Sequence, residues 1–285
     1  MCMLFGISEI KDIPKTVLEN VLFRVKDAMQ SQNDGFGFAF SDNSHQPYIH
    51  RYVEPNLFQG FHPPRGLLAP IFAKQDAFEI KGRYPNSACG ALIAHGRTAT
   101  NDINLANTHP FLQGNNWIVA HNGIVHYLST QIPLICQGTN DSEHLANIIA
   151  TYGIENIHSY LYGSIAVCAI APEGHLVLLR DGATRLYVAE CQFNGRPRLL
   201  AGTTHRIIDT AARGLKVTQL KKFLLPAFQE VSVFSSRTCC KSVTSWQTYD
   251  PTLMQLPKKS FWDDPKAQER FRQQIEDPFY CSPEV

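Results

Sequence analysis

Apolar positions repeat at helical spacing in two long stretches of the chain. Between residues 13 and 30, Leu18, Val21, Leu22, Val25 and Met29 fall on one face. Pro14 suits the first turn of such a helix, and Asn33-Asp34-Gly35 breaks the pattern. The second stretch opens at Asp141-Ser142-Glu143. There Leu145, Ile148, Ile149 and Tyr152 share a face, and Gly153 can end the helix. A shorter helix is predicted over 205–212. Elsewhere apolar residues alternate or run in short lengths, as in strands. Strands are predicted over 36–40, 91–95, 117–120, 164–170, 176–179, 186–189, 199–202 and 227–234, with loop and a short strand over 41–66. Turn residues Gly174, Gly182 and Asn194-Gly195 join successive strands. Many strands, few helices and hairpin connections favour an antiparallel α+β protein over a parallel α/β one.

The last fifty or so residues differ. Pro251, Pro257, Pro265, Pro278 and Pro283 punctuate them, and 265–275 is a charged helical stretch. They predict a C-terminal appendage, 236–285, that hugs the surface, wraps a domain spanning 2–235 or docks a partner.

Composition narrows the classes. The 285 residues are 44% hydrophobic and 18% charged, unlike a disordered chain. A net charge of +1 lacks the basic excess of a general nucleic-acid binder. No apolar run nears the roughly 20 residues that span a bilayer, so neither nucleic acid nor membrane is an expected partner. The chain start lacks the basic flank and apolar run of a signal peptide, so a cytoplasmic location with reduced thiols is expected. The eight cysteines are scattered without CxxC or metal-ligand spacing, and the 11 histidines include no HExxH. No metal or other cofactor is expected.

Chemistry concentrates at two places. Removal of Met1, usual before a small residue, would put the Cys2 thiol beside a free α-amine. A thiol of pKa ~8.5 is a few per cent thiolate at neutral pH, whereas an α-amine of pKa ~7.7–8.0 is partly neutral and can take its proton. Nucleophile and base would then share one residue. The second place is His95-Gly96-Arg97-Thr98-Ala99-Thr100-Asn101, Asn107-Thr108-His109-Pro110-Phe111 and His121-Asn122-Gly123, polar residues at the ends of predicted strands. Arg97 could clamp a carboxylate through its guanidinium fork. Asn122-Gly123 could offer a side-chain amide and a backbone N–H to one oxyanion. Alternatively Asn122-Gly123 is a β-turn and Arg97 lies at the surface.

Taken in order, Met1-Cys2-Met3-Leu4-Phe5-Gly6, His95 to Thr100, Thr108 to Phe111, His121 to Gly123 and Asn140-Asp141-Ser142-Glu143 resemble the class II glutamine amidotransferases. These are N-terminal-nucleophile hydrolases, and the likeness is nearest to small stand-alone members, which Asp34-Gly35-Phe36-Gly37 also matches. It extends over residues 2–235. Thr98, Asn101 and Asn140 depart from the residues common there, which bears on the γ-glutamyl substrate rather than on the cleavage. The resemblance implies a four-layer αββα sandwich of two antiparallel sheets. It implies Cys2 as nucleophile, with its α-amine as base, and Asn122 and Gly123 as the oxyanion hole. It implies Arg97 for the substrate carboxylate, Asp141 for its ammonium, and Thr100 and His109 as further substrate contacts. His121 is expected to be structural. The implied substrate is glutamine, with ammonia passed to a separate synthetase. The alternatives are a stand-alone hydrolase of γ-glutamyl peptides or conjugates, and a scaffold that has lost activity.

Overall fold

The computed structural model of the chain describes residues 2–29, 34–41, 47–53, 90–99, 103–127, 136–217, 220–234 and 237–242. Thr100 and residues 243–285, with the predicted helix over 265–275, lie outside them. Thirteen strands and three α-helices are described in chain order. They are β1 (Met3–Ser8), α1 (Lys15–Ala28), β2 (Gly35–Ser41), β3 (Pro47–Tyr52), β4 (Ala91–Arg97), β5 (Phe111–Gln113), β6 (Trp117–Tyr127), α2 (Asp141–Tyr152), β7 (Leu161–Ile170), β8 (Leu176–Arg180), β9 (Tyr187–Phe193), β10 (Arg196–Gly202), α3 (His205–Leu215), β11 (Lys221–Leu224), β12 (Gln229–Phe234) and β13 (Arg237–Ser242).

The strands form two antiparallel sheets. The first has the order β11-β9-β10-β1-β4-β2-β3 and the second β13-β12-β8-β7-β6-β5. Alternation along the strands divides the core into three layers. In β4, Leu92 and Ala94 join Leu18, Val21 and Val25 of α1 and Ile207, Ile208 and Ala211 of α3. Ala91 and Ile93 instead face the second sheet, meeting Ile118 and Ala120 of β6 and Ala166 and Cys168 of β7. On the far side, Val119, Val167 and Ala169 receive Leu145, Ile148 and Ile149 of α2. Helix, sheet, sheet, helix is the expected αββα sandwich. Each fully buried aliphatic side chain in these layers contributes roughly 1.5–3 kcal/mol.

Local chemistry sets the helix bounds. Asn140 caps α2 by accepting the Ser142 N–H at 2.9 Å, and Gly153 follows its last residue. The β-turn left open at Asn122-Gly123 is absent, because β6 runs through both residues to Tyr127, paired with β7 throughout. The second sheet also continues past residue 235. β13 pairs with β12 from Gln229↔Ser242 to Phe234↔Arg237.

Candidate active site

The layer between the sheets is apolar in its middle and polar at one end. The inward face of β4 reads Ala91, Ile93, His95, Arg97. The inward face of β6 reads Ile118, Ala120, Asn122. In the first strand Leu4 points inward, and Cys2 precedes it by two residues on the same side. Met3 pairs with Gly96 and Leu4 with His95, which puts Cys2 beside Arg97. The alternation that builds the core thus also delivers Cys2, His95, Arg97 and Asn122 to one end of it. Arg97 is 2% exposed and Asn122 3%, so a surface position for Arg97 is ruled out.

The thiol of Cys2 is held by one residue. Thr98 N–H donates to Sγ at 3.3 Å, and Sγ–H points to the Thr98 carbonyl at 3.4 Å. Burial pushes the thiol pKa up. The Thr98 N–H, the chain-terminal amine charge and the Arg97 charge pull it down, and Asp141 pushes it up. The thiol form predominates, so nucleophilic use of this sulfur requires a base.

Asn122 Nδ2 has no hydrogen-bond partner among the described residues. A buried unpaired donor costs about 1–3 kcal/mol, and a ligand oxygen would relieve it. The next residue, Gly123, holds φ at +140°, and a Cβ there would lie 1.8 Å from the Ser164 carbonyl oxygen. Only glycine lets β6 pass β7 at this point. Asp141 begins α2, and its Oδ2 accepts Val125 N–H at 2.9 Å. His121 ties the same parts together. Its Nε2–H donates to the Ser164 carbonyl (3.2 Å) and its Nδ1 accepts from the Ser142 hydroxyl (2.8 Å). Burial lowers its pKa, against the pull of Asp141.

The turn at 107–110 closes over β2. His109 stacks on the His95 ring at 3.9 Å and meets Phe111 edge-on at 4.7 Å. Neither His109 nitrogen has a hydrogen-bond partner among the described residues. Burial holds the His109 pKa well below the usual imidazole range, and lowers that of His95 to about 3. The turn needs bare backbone beneath it, since a Cβ on Gly37 would lie 2.1 Å from the His109 carbonyl oxygen. Asn107 joins this turn to α2, accepting Thr139 N–H through Oδ1 and Asn140 Nδ2–H through its carbonyl, both at 2.8 Å. Glu143 holds the preceding loop by accepting Gln137 and Gly138 N–H, also at 2.8 Å.

Cys2, Arg97, Asn122, Gly123 and Asp141 therefore come to one region, and His109 lies behind His95. Thr100 is outside the described residues. The sequence pattern missed Thr98, whose backbone alone meets the thiol, and Asn107 and Glu143, which shape the loops. The Asn-cap pattern before α2 was the available signal for that loop. Among the described residues no group of three His, Cys, Asp or Glu side chains is placed to hold a metal ion.

Known proteins resemble this chain in sequence or in fold. A putative glutamine amidotransferase of Haemophilus influenzae is 40% identical over 67 residues, 21% of this chain and 23% of that protein. The solved glutamine phosphoribosylpyrophosphate amidotransferase of B. subtilis, complexed with ADP and GMP, superposes with a TM-score of 0.52 at 20% identity. The match covers 85% of this chain and 49% of that one. A structure of the allosteric regulatory enzyme of purine biosynthesis gives 0.55 at 20%, with the same coverage. At such identity the two structures share the fold alone, and this chain spans about half of each. The family model of class II glutamine amidotransferases matches residues 1–156, more than half of the chain, which therefore belongs to the class II glutamine amidotransferase family.

Proposed function

We propose that this chain hydrolyses the side-chain amide of glutamine through Cys2, exposed as the first residue by loss of Met1. The α-amine, through a water, takes the thiol proton as sulfur attacks the amide carbon. The oxyanion is held by Asn122 Nδ2 and the Gly123 N–H. Collapse breaks the C–N bond, and the stored proton leaves with ammonia. Water then cleaves the γ-glutamyl thioester and releases glutamate. Arg97 pairs with the substrate carboxylate and Asp141 with its ammonium, Thr100 is a further substrate contact, and His109 acts from behind His95.

The observation that carries this proposal is the unpartnered amide of Asn122, buried at the end of the layer that also receives Cys2 and Arg97. The raised thiol pKa supports the need for a neighbouring base. An acceptor enzyme on another chain is the proposed recipient of the ammonia. A reducing cytoplasm is the proposed compartment, supported by the free thiols Cys2, Cys136, Cys168, Cys191 and Cys240.

The test is the intact mass of the protein before and after 6-diazo-5-oxo-norleucine, with ammonia release measured on glutamine. Loss of Met1 and one adduct, absent in Cys2→Ala, is expected. Retained Met1 with no adduct overturns the mechanism. Fast turnover of a γ-glutamyl peptide with slow turnover of glutamine overturns the ammonia-donor part.

A further inference from the structure

Asp34 stands immediately before β2. Its N–H donates to the Arg97 carbonyl at 3.2 Å, and its Oδ2 accepts Ala99 N–H at 2.6 Å. The two bonds bracket Thr98, the residue whose N–H and carbonyl meet Cys2 Sγ. The β2–β4 ladder ends at Gly35↔Arg97, so sheet pairing no longer orients residues 98 and 99. The Asp34 carboxylate takes the place of the next strand carbonyl, with the short distance of a charge-assisted bond. The strand it sits on is itself pinned. A Cβ on Gly35 would lie 3.1 Å from Thr108 Oγ1, and Gly37 lies under the His109 carbonyl. The support for Thr98 therefore comes from a strand end that the 107–110 turn also covers.

We propose that Asp34 is a positioning residue for the nucleophile. Its N–H holds the peptide unit that carries the Thr98 N–H, its carboxylate holds the unit that carries the Thr98 carbonyl, and with the second unit released Thr98 can turn away from the Cys2 sulfur. The proposal rests on Cys2 being the nucleophile. An N–H donated to sulfur favours the thiolate. If Thr98 loses its aim, the sulfur keeps the Arg97 charge in its favour and the Asp141 charge against it.

The experiment compares the full-length protein with Asp34→Ala, Asp34→Asn and Asp34→Glu. The rate of Cys2 alkylation by iodoacetamide is followed against pH by peptide mass spectrometry, together with kcat and KM for glutamine. Asp34→Ala should move the alkylation profile to higher pH and slow it about tenfold near neutral pH, the size expected for losing one hydrogen bond to a charged group. Its kcat should fall similarly while KM changes less than about threefold. Asp34→Asn keeps an acceptor oxygen at the same reach and should stay near the parent. Asp34→Glu keeps the charge but overshoots Ala99, so it should behave like Asp34→Ala. A parental alkylation profile in Asp34→Ala, or a parental Glu variant beside an impaired Asn variant, overturns the proposal. The alkylation readout needs no turnover. Profiles that move as expected in a protein inert towards glutamine would overturn the proposed function and leave the positioning role standing.

Discussion

Among the described residues two cysteines occupy the layer between the sheets, and they have different surroundings. Cys168 lies in its apolar middle, fully buried, with Leu178 opposite it in the ladder and Gly6 close by. Burial raises its thiol pKa, and nothing opposes the rise. Cys2 lies at the end of the same layer. There burial also raises the pKa, but a backbone N–H and a guanidinium pull the other way. The same side chain is a small core hydrophobe in one place and an addressed sulfur in the other. A thiol's chemistry follows the donors and charges around it as well as its depth.

Three experiments sharpen the contrast. Asn122→Ala, at the polar end, should lower kcat by roughly 10²–10³, the effect of removing one oxyanion donor. Because Nδ2 has no hydrogen-bond partner among the described residues, urea unfolding should show little destabilisation. A large loss of stability with an unchanged rate would make Asn122 structural. Cys168→Ser, in the apolar middle, should do the reverse. A hydroxyl buried there should cost about 1–3 kcal/mol of stability and leave kcat within about twofold, as read by urea unfolding and steady-state assay.

The smallest expected effect is on pH dependence. Burial lowers the pKa of His95, His109 and His121. Unfolded imidazoles take a proton below about pH 6.5, while the buried rings stay neutral. Acid therefore favours the unfolded chain. Stability is full above about pH 7 and falls as the pH drops from there towards 4. His109→Phe keeps a ring against His95 and Phe111 without the proton. It should reduce that slope by roughly 0.7 kcal/mol between pH 7 and 6 and by about 1.2 kcal/mol between pH 6 and 5, approaching the one-proton limit of about 1.4 kcal/mol per pH unit, measured by urea unfolding at pH 7, 6 and 5. An unaltered slope would show that His109 already takes up its proton in the folded protein.

Periodic patterns made the fold largely legible. The apolar stripe of α1, the Asn cap and Gly153 bounding α2, and the runs that became β4, β7, β8 and β10 all carry their own signal. The exposed or short strands β5, β11 and β13 do not, since an edge strand buries too little to impose alternation. β6 was read as ending near Ala120. Asn122-Gly123 has turn chemistry, and only the β7 ladder, with Gly123 at positive φ, draws the strand on through it. At the site, side-chain roles were legible where residue types are distinctive, as at Cys2 and Arg97. Thr98 was not, because a backbone N–H leaves no mark on residue identity.

The first strand has a temporal consequence. Leu4 gives its N–H to Thr203 Oγ1 and takes the Thr203 N–H on its carbonyl, 199 residues further along the chain, and its other edge waits for β4. As the polypeptide emerges from the ribosome, β1 can gain one neighbour once β4 is made, but its other edge stays open until β10 and Thr203 follow. The sulfur's own partner Thr98 is made early, but the strand that carries the sulfur is paired on both edges only when β10 has joined it. A chain truncated before β10 would carry the cysteine but leave one edge of β1 without its neighbour.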